Sequence, residues 1–329
     1  MNKKVIKVFV VIIVAFTIFM AFGWSFFTMV VYAGRRKDKE KQKKQNRWRL
    51  PPMKINHPRH RYEHIYEEGK AWCQQQEMQD FYMRSNDNLL LHARYLPAEQ
   101  AKRIVILCHG YKGNSFSDFA FMARYLHENG CHLLFIDQRC CGQSEGSYVS
   151  FGAKEQWDIQ GWAYFMAKRN KEKLPIYLYG ESMGAASVLM ASGRHLPKAV
   201  HGLIADCGFQ SMKVQLEDMA INWFGIRGIK ALLFRMNIFS RLIGKFRMSD
   251  ADTTAALKKN RRPVLFFHGG NDTFVAPKNS LYNYSICQAP KELVVIPGAR
   301  HMCSPYQNPK LYRKKVMQFF DKYDKKSVR

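Results

Sequence analysis

"LYGESMGAASVL", Leu178 to Leu189, sets a serine between two glycines where a run of apolar residues gives way to small ones. The preceding "PIYLYG" has the length of a strand, and "MGAASVLMASG" has the small-residue composition of a helix that packs closely on its neighbours. Gly-x-Ser-x-Gly in that strand-to-helix context predicts a tight turn that lifts Ser182 above a sheet. Gly180 and Gly184 then leave room for strand and helix where any side chain would collide. Taken alone, the same five residues also suit a helix N-cap serine in an ordinary turn. The rest of the chain separates the two readings.

From Arg103 onward, strand-length apolar runs alternate with longer helical patterns: "IVILCH", "CHLLFID", "IYLYG", "VHGLIAD", "VLFFHG" and "ELVVIPG". Such alternation predicts βαβ units and an α/β fold, a doubly wound, mostly parallel sheet covered on both faces. Helical spacing falls at Asp118 to Asn129, Lys154 to Lys171, Ser182 to His195, Pro277 to Cys287 and Asn308 to Tyr323. Ahead of these, "QDFYMRS" and "NLLLHARYLP" flank Asn86-Asp87-Asn88 and predict a hairpin. A short lead-in helix is expected within His57 to Gln76. One interval, residues 208–260, is far longer than a normal connection; its basic, apolar middle predicts a helical cap insertion, and it also suits an interfacial amphipathic helix.

A serine hydroxyl is a weak nucleophile near neutral pH, so it needs an imidazole to take its proton and an acid to orient that imidazole. "PVLFFHG" is followed by Gly270-Asn271-Asp272, and "ELVVIPG" by Ala299-Arg300-His301. Ser, Asp, His in that order, each after a late strand, predicts Ser182 as nucleophile, Asp272 as orienting acid and His301 as general base and acid. Asp206, after "LIA", is the competing acid. His109 and His268 precede glycines at strand ends and read as turn-fixing; His132, His195 and His201 have no carboxylate partner suggested by the order. The oxyanion of a tetrahedral intermediate needs two donors, expected from the backbone N–H groups of Met183 and Tyr111. Glu181 reads as a surface or pocket-rim residue.

The segment Val8 to Ala33 carries no charge over 26 residues and is long enough to cross a hydrocarbon core of about 30 Å as a helix. Val31-Tyr32-Ala33 resembles a signal-peptidase site, but signal h-regions run to roughly 7 to 15 residues, so an uncleaved single-pass anchor in the cell membrane is expected. Nine basic residues from Arg35 to Arg49 follow the span, against Lys3, Lys4 and Lys7 before it, which favours a cytoplasmic catalytic body. The formal charge of +26 concentrates beside the span, where anionic headgroups attract it, and no nucleic-acid reader motif accompanies it. The eight cysteines make neither a disulfide framework nor a zinc spacing, and no metal or cofactor is expected. The expected division is an anchor over 1–34, a basic linker and lead-in helix over 35–76, and an enzymatic domain over 77–329.

"LCHGYKGN", "FIDQRCCGQSEG", "GESMG", "FFHGGNDTFV" and "PGARHM", in this order, resemble the α/β-hydrolase superfamily over about Phe81 to Tyr323. With the N-terminal span and "IADCGFQS", the chain looks like the membrane-anchored serine hydrolases of Gram-positive bacteria. The resemblance implies the eight-stranded hydrolase sheet and an esterase, lipase or peptidase type of activity. One position departs: the loop after the fourth strand usually reads Asp-x-Arg-Gly-x-Gly-x-Ser, and Cys140 stands at its first glycine. The expectation is that the backbone there avoids positive φ. Asp137, Arg139 and Ser144 are expected to brace the loop.

Three functions follow in order: hydrolysis of esters or thioesters of a small or lipid-like acyl substrate at the membrane, peptide hydrolysis of the prolyl or acylaminoacyl type, and a non-catalytic membrane-tethered interaction module. Oligomeric state is not legible in the sequence.

Overall fold

The computed structural model describes residues 3–34 and 61–325; the basic run of 35–49 lies outside them. Eight strands form one sheet: β1 (Gln79–Arg84), β2 (Leu90–Leu96), β3 (Arg103–Cys108), β4 (Cys131–Asp137), β5 (Ile176–Glu181), β6 (Val200–Asp206), β7 (Val264–Gly269) and β8 (Lys291–Ile296). Their order is β1-β2-β4-β3-β5-β6-β7-β8. The predicted hairpin is the antiparallel β1–β2 pair, its turn using Asn88 at φ 67°. β2 is antiparallel to β4, and every later pair is parallel.

The central strands are buried on both faces, and their alternate side chains enter different cores. Val105, Leu107, Leu133, Phe135, Tyr177 and Tyr179 point to one core. That core is closed by α2 (Glu63–Gln75), α4 (Ala123–Glu128), α11 (Ser304–Gln307) and α12 (Pro309–Tyr323). Ile104, Ile106, Leu134, Ile136, Ile176 and Leu178 point to the other, under α5 (Glu155–Arg169), α6 (Met183–Ala191) and α10 (Lys278–Ile286). Trp162 of α5 is fully buried there. The helix expected over Asp118–Asn129 is instead split into α3 (Ser115–Asp118) and α4. Asp118 turns its carboxylate back onto the Gly110 amide at 2.7 Å, which ties that segment to the loop after β3 and interrupts the helix.

Two helices fill the long interval, α7 (Met212–Phe224) and α8 (Lys230–Leu242), followed by a 3₁₀ turn (Met248–Asp250) and α9 (Thr254–Lys259). α7 is capped by Ser211, whose hydroxyl accepts from the Val214 amide, and ends at Gly225 in the left-handed conformation, φ 64°.

α1 (Lys3–Val30) is apolar enough to span a membrane over Val5–Val30. Its final turns are built into the body. Phe27 and Val31 are fully buried, in one cluster with Met183, Phe151, Phe209, Leu233 and Met236. Ala33 N donates to Ser147 O (2.8 Å) and Val149 N to Val31 O (2.9 Å), a short antiparallel bridge centred on Tyr32 and Tyr148. α8 lies along the same stretch: a side chain on Gly23 would sit 2.5 Å from the Arg235 Cβ, and the Phe239 ring meets Trp24 at 5.4 Å and Phe27 at 6.1 Å.

The loop after β4 is braced as expected. Arg139 holds Asp158 through two bonds of 2.6 and 2.8 Å and reaches Asp87 at 3.0 Å; Ser144 donates to the Asp137 carbonyl at 2.6 Å. Cys140, however, adopts φ 68°. The expectation of a negative φ is corrected: Cys140 N donates to Glu145 O at 2.9 Å, and that closure keeps the left-handed turn with a cysteine bearing its steric cost.

Candidate active site

The sheet order reverses between β3 and β5, so the loops leaving their carboxyl ends diverge and open a crevice, the usual site of chemistry in open α/β sheets. Ser182 stands there, directly after β5, at φ 53° and ψ −117°, a strained backbone for a residue with a Cβ. The two glycines permit it. A Cβ on Gly184 would fall inside contact distance of the Cys108 carbonyl, and one on Gly180 would strike the Gly184 carbonyl, so neither backbone could be where it is with a side chain attached. Ser182 is not a side-chain cap of α6: its hydroxyl makes no cap bond and faces His301 instead.

His301 Nε2 lies 2.9 Å from Ser182 Oγ, and His301 Nδ1 lies 2.7 Å from Asp272 Oδ2. The second Asp272 oxygen accepts from the amides of Phe274 and Val275, each at 2.9 Å, which fixes the carboxylate plane. Burial alone would raise the Asp272 carboxyl; the imidazoles of His301 and His268 outweigh it and hold the group well below the ordinary carboxylate range. The Phe274 ring lies against His301, centroids 4.7 Å apart, and shields the imidazole on one face. Ser182 and Asp272 are buried while His301 is partly open, an arrangement that leaves the hydroxyl reachable beside the imidazole.

Asp206, the competing acid, is fully buried and accepts from Tyr312 Oη (2.9 Å) and Ser304 Oγ (3.3 Å), so its hydrogen bonds go elsewhere than His301. Burial raises its carboxyl. His109 is a loop brace, with Nδ1 2.7 Å from Gly110 O and Nε2 accepting from Gln138 N at 3.1 Å. His132 receives the Ala98 amide, His195 meets Tyr164 Oη, and His201 meets Tyr323 O.

His268 does more than fix a turn. It is fully buried, with Nε2 2.8 Å from Val275 O and 3.4 Å from Asp272 Oδ2, and Nδ1 2.6 Å from Ser280 Oγ. A second imidazole therefore backs the carboxylate; its place in "FFHG", four residues before Asp272, was the available signal. Glu181 is corrected as well: it is buried, 1 % exposed, because it is the last residue of β5 and pairs with Asp206 across the sheet.

The Met183 amide opens α6, where the first-turn N–H groups have no helical partner and are free to face a ligand. Tyr111 follows β3 in the adjacent loop, within which Gly110 approaches Ser182 so closely that an added Cβ would lie 3.4 Å from the serine Cβ. Its ring is half-buried: Tyr111 Oη donates to Val30 O at 2.5 Å, and the ring packs on Phe151 at 5.2 Å. Lys112 Nζ donates to Tyr32 O at 3.0 Å. The loop beside the serine is thus tied to the end of α1.

Asp272, His301 and Cys207 place potential ligand atoms within 4.8 Å of one another, and the His301 and Asp272 atoms are hydrogen-bonded to each other at 2.7 Å. A cavity of about 1200 Å³ opens beside α8, lined by Trp157, Arg194, Lys213, Phe234 and Tyr282 among others; none of Ser182, Asp272 and His301 lines it. Convergent polar groups, not volume, mark the site.

Residues 99–248 match the family described as serine aminopeptidase, S33. The uncharacterized protein YqkD of Bacillus subtilis (strain 168) is 29% identical over 66% of this chain and 70% of its own length. The esterase Pf2001 of Pyrococcus furiosus superposes with a TM-score of 0.60 at 20% identity, covering 75% of this chain and 92% of that one. An acylaminoacyl peptidase of Pyrococcus horikoshii gives 0.58 at 15% identity, covering 79% of this chain but 44% of that one.

Proposed function

We propose that this chain, which has the α/β-hydrolase fold, is a serine esterase anchored in the cell membrane by α1, with Ser182, His301 and Asp272 as its triad. The observation that carries this reading is the unbroken relay from Ser182 Oγ to His301 Nε2 and from His301 Nδ1 to Asp272 Oδ2.

In the proposed reaction, Ser182 Oγ attacks the carbonyl carbon of an ester or thioester as its proton passes to His301 Nε2. Asp272 holds the imidazole by Nδ1 and stabilises the imidazolium that forms. The carbonyl oxygen, now an oxyanion, is received by the N–H groups of Met183 and Tyr111. Collapse expels the alcohol or thiol, which takes the proton from His301 and leaves an acyl-serine. Water then gives a proton to His301 and its oxygen to the acyl carbon, and the acid departs as Ser182 recovers its proton.

The apolar surroundings of the Met183 backbone suit an acyl substrate. The cluster that carries Met183 also holds Phe151, Phe209, Leu216 and Val275. Nine basic residues following α1 support a cytoplasmic body by the positive-inside bias. The domain reading follows: anchor over 1–34, linker over 35–76, hydrolase over 77–329, with 208–260 capping the site. The match to the serine aminopeptidase family favours amide hydrolysis as the second reading.

A fluorophosphonate probe tests the chemistry: it should label the full chain and fail on Ser182→Ala. Unlabelled, folded wild type would refute the nucleophile. p-Nitrophenyl esters of rising acyl length, run beside proline p-nitroanilide, decide the class. Ester turnover that grows with chain length supports the esterase; turnover of the anilide alone supports the peptidase.

A further inference from the structure

α1 is longer than a bilayer core requires. Val5–Val30 covers 26 residues, about 39 Å of helix, against a hydrocarbon core of about 30 Å. Toward its amino end, where the described side chains from Val5 to Phe19 are exposed, the open part of α1 is shorter than that core. From Val5 to Ile18 there are 14 residues, about 21 Å. Beyond it α8 begins: Arg235 Nη1 donates to Phe19 O at 2.7 Å, and its guanidinium lies 4.0 Å from the Phe19 ring centre. To complete a span, roughly six more residues, Phe19 to Trp24, must lie in the hydrocarbon layer. Those are the residues α8 packs against.

The direction of α8 is fixed by its partners. Arg235 meets Phe19 and Gly23, and Phe239 meets Trp24 and Phe27, so numbering rises together along the two helices. The amino end of α8 and the α7–α8 connection therefore lie farthest from the hydrolase body. That tip exposes large apolar side chains, Ile221 at 44 %, Ile226 at 53 % and Phe234 at 64 %, with Arg227 and Lys230 open among them. Added Cβ atoms on Gly225 and Gly228 would meet nothing within 4 Å. Residues 219–249 contain no Asp or Glu and six basic residues, Arg227, Lys230, Arg235, Arg241, Lys245 and Arg247. Apolar side chains interleaved with only cationic charges fit the boundary between acyl chains and anionic headgroups.

We infer that the α7–α8 hairpin is a second membrane element of this protein, its tip around Ile226 and Phe234 sunk beside α1 into the leaflet of an anionic bilayer. The inference rests on the reading of α1 as a span. Arg235 explains how a charge is tolerated at that level: its guanidinium is satisfied by the Phe19 carbonyl and by the ring beneath it. Gly23 is what allows the two helices to approach so closely.

The experiment uses the full chain with one added cysteine, since all eight native cysteines are buried. Ile226→Cys, Phe234→Cys, Val10→Cys in the span and Lys198→Cys at the opposite end of the sheet each carry a nitrobenzoxadiazole label, in nanodiscs of phosphatidylcholine and phosphatidylglycerol. Lipids doxylated near the headgroup or along the chain should remove about half or more of the emission at 226, 234 and 10, and almost none at 198. Quenching at 10 with 226 and 234 behaving like 198 would overturn the inference and leave the anchor standing. If position 10 is also unquenched, the anchor fails and the inference falls with it. In discs of phosphatidylcholine alone, quenching at 226 and 234 should weaken; equal quenching in both lipids would overturn the anionic preference.

Discussion

Tyr111 Oη donates to the Val30 carbonyl at 2.5 Å, so the loop expected to supply an oxyanion donor is held by the last turn of α1. Tyr111→Phe removes that bond and leaves the Val30 carbonyl without its donor, at an expected cost of about 1–3 kcal/mol in stability. The loop would loosen but keep its amide, so kcat should fall by less than the roughly 100-fold of a deleted oxyanion donor, with KM little changed. Denaturation in detergent and steady-state ester kinetics check both; an unchanged kcat would separate the anchor contact from catalysis.

Asp272 and Asp206 give opposite expectations. Asp272→Asn should lower kcat by about 10⁴, because the amide favours the wrong imidazole tautomer. Asp206→Asn should cost stability through Tyr312 and Ser304 while kcat per folded molecule stays within about tenfold. Kinetics normalised to active sites titrated with a fluorophosphonate would reveal a reversed ranking.

The acid side of the stability curve follows from the same carboxylate. Asp272 is held below the ordinary range in the folded protein, so its contribution is present above the unfolded value of about 3.9 and is lost as pH falls. The stability gap between wild type and Asp272→Asn should therefore shrink below about pH 4. Because Asp272 stays ionised well into acid, the acid loss of activity should follow one proton and not two. Chemical denaturation at stepped pH and a kcat/KM profile test the two statements; a constant gap contradicts the first.

Gly184→Ala sets a methyl against the Cys108 carbonyl and 2.6 Å from the His109 carbonyl, both backbone atoms that cannot turn aside. A loss of about 3 kcal/mol is expected, with loss of probe labelling as the turn shifts. Gly225→Ala meets no neighbour and carries only the cost of its φ of 64°, about 1 kcal/mol. Similar melting shifts for the two would contradict the packing argument.

The proximity of Ser182, Asp272 and His301 was legible in the sequence because each lies within a few residues of a strand end, and strand ends are marked by apolar runs giving way to glycine. The docking of α1 was not legible. A span that is apolar all round gives no periodicity to say that Phe27 and Val31 face protein while Phe22 faces outward. Glu181 was misplaced for a related reason: a carboxylate is normally read as exposed, and nothing local records that β5 ends beneath α6. His268 reads from sequence only as turn-fixing because its partner Asp272 lies in the following loop, where the turn brings the two together. At Cys140 the reading took steric cost as prohibition, whereas the closed loop holds a cysteine where glycine would be easier.

The bridge between Tyr32 and Tyr148 also bears on how the molecule is made. The two strands of that bridge leave the ribosome more than a hundred residues apart, and α8 emerges later still. Synthesis proceeds from the amino end, so α1 is made with its docking face open and waits for its partners. Completion of the body is then a late step. A chain that is released before α8 would leave Phe27, Val31 and Met183 uncovered, a state that quality-control proteases are built to recognise.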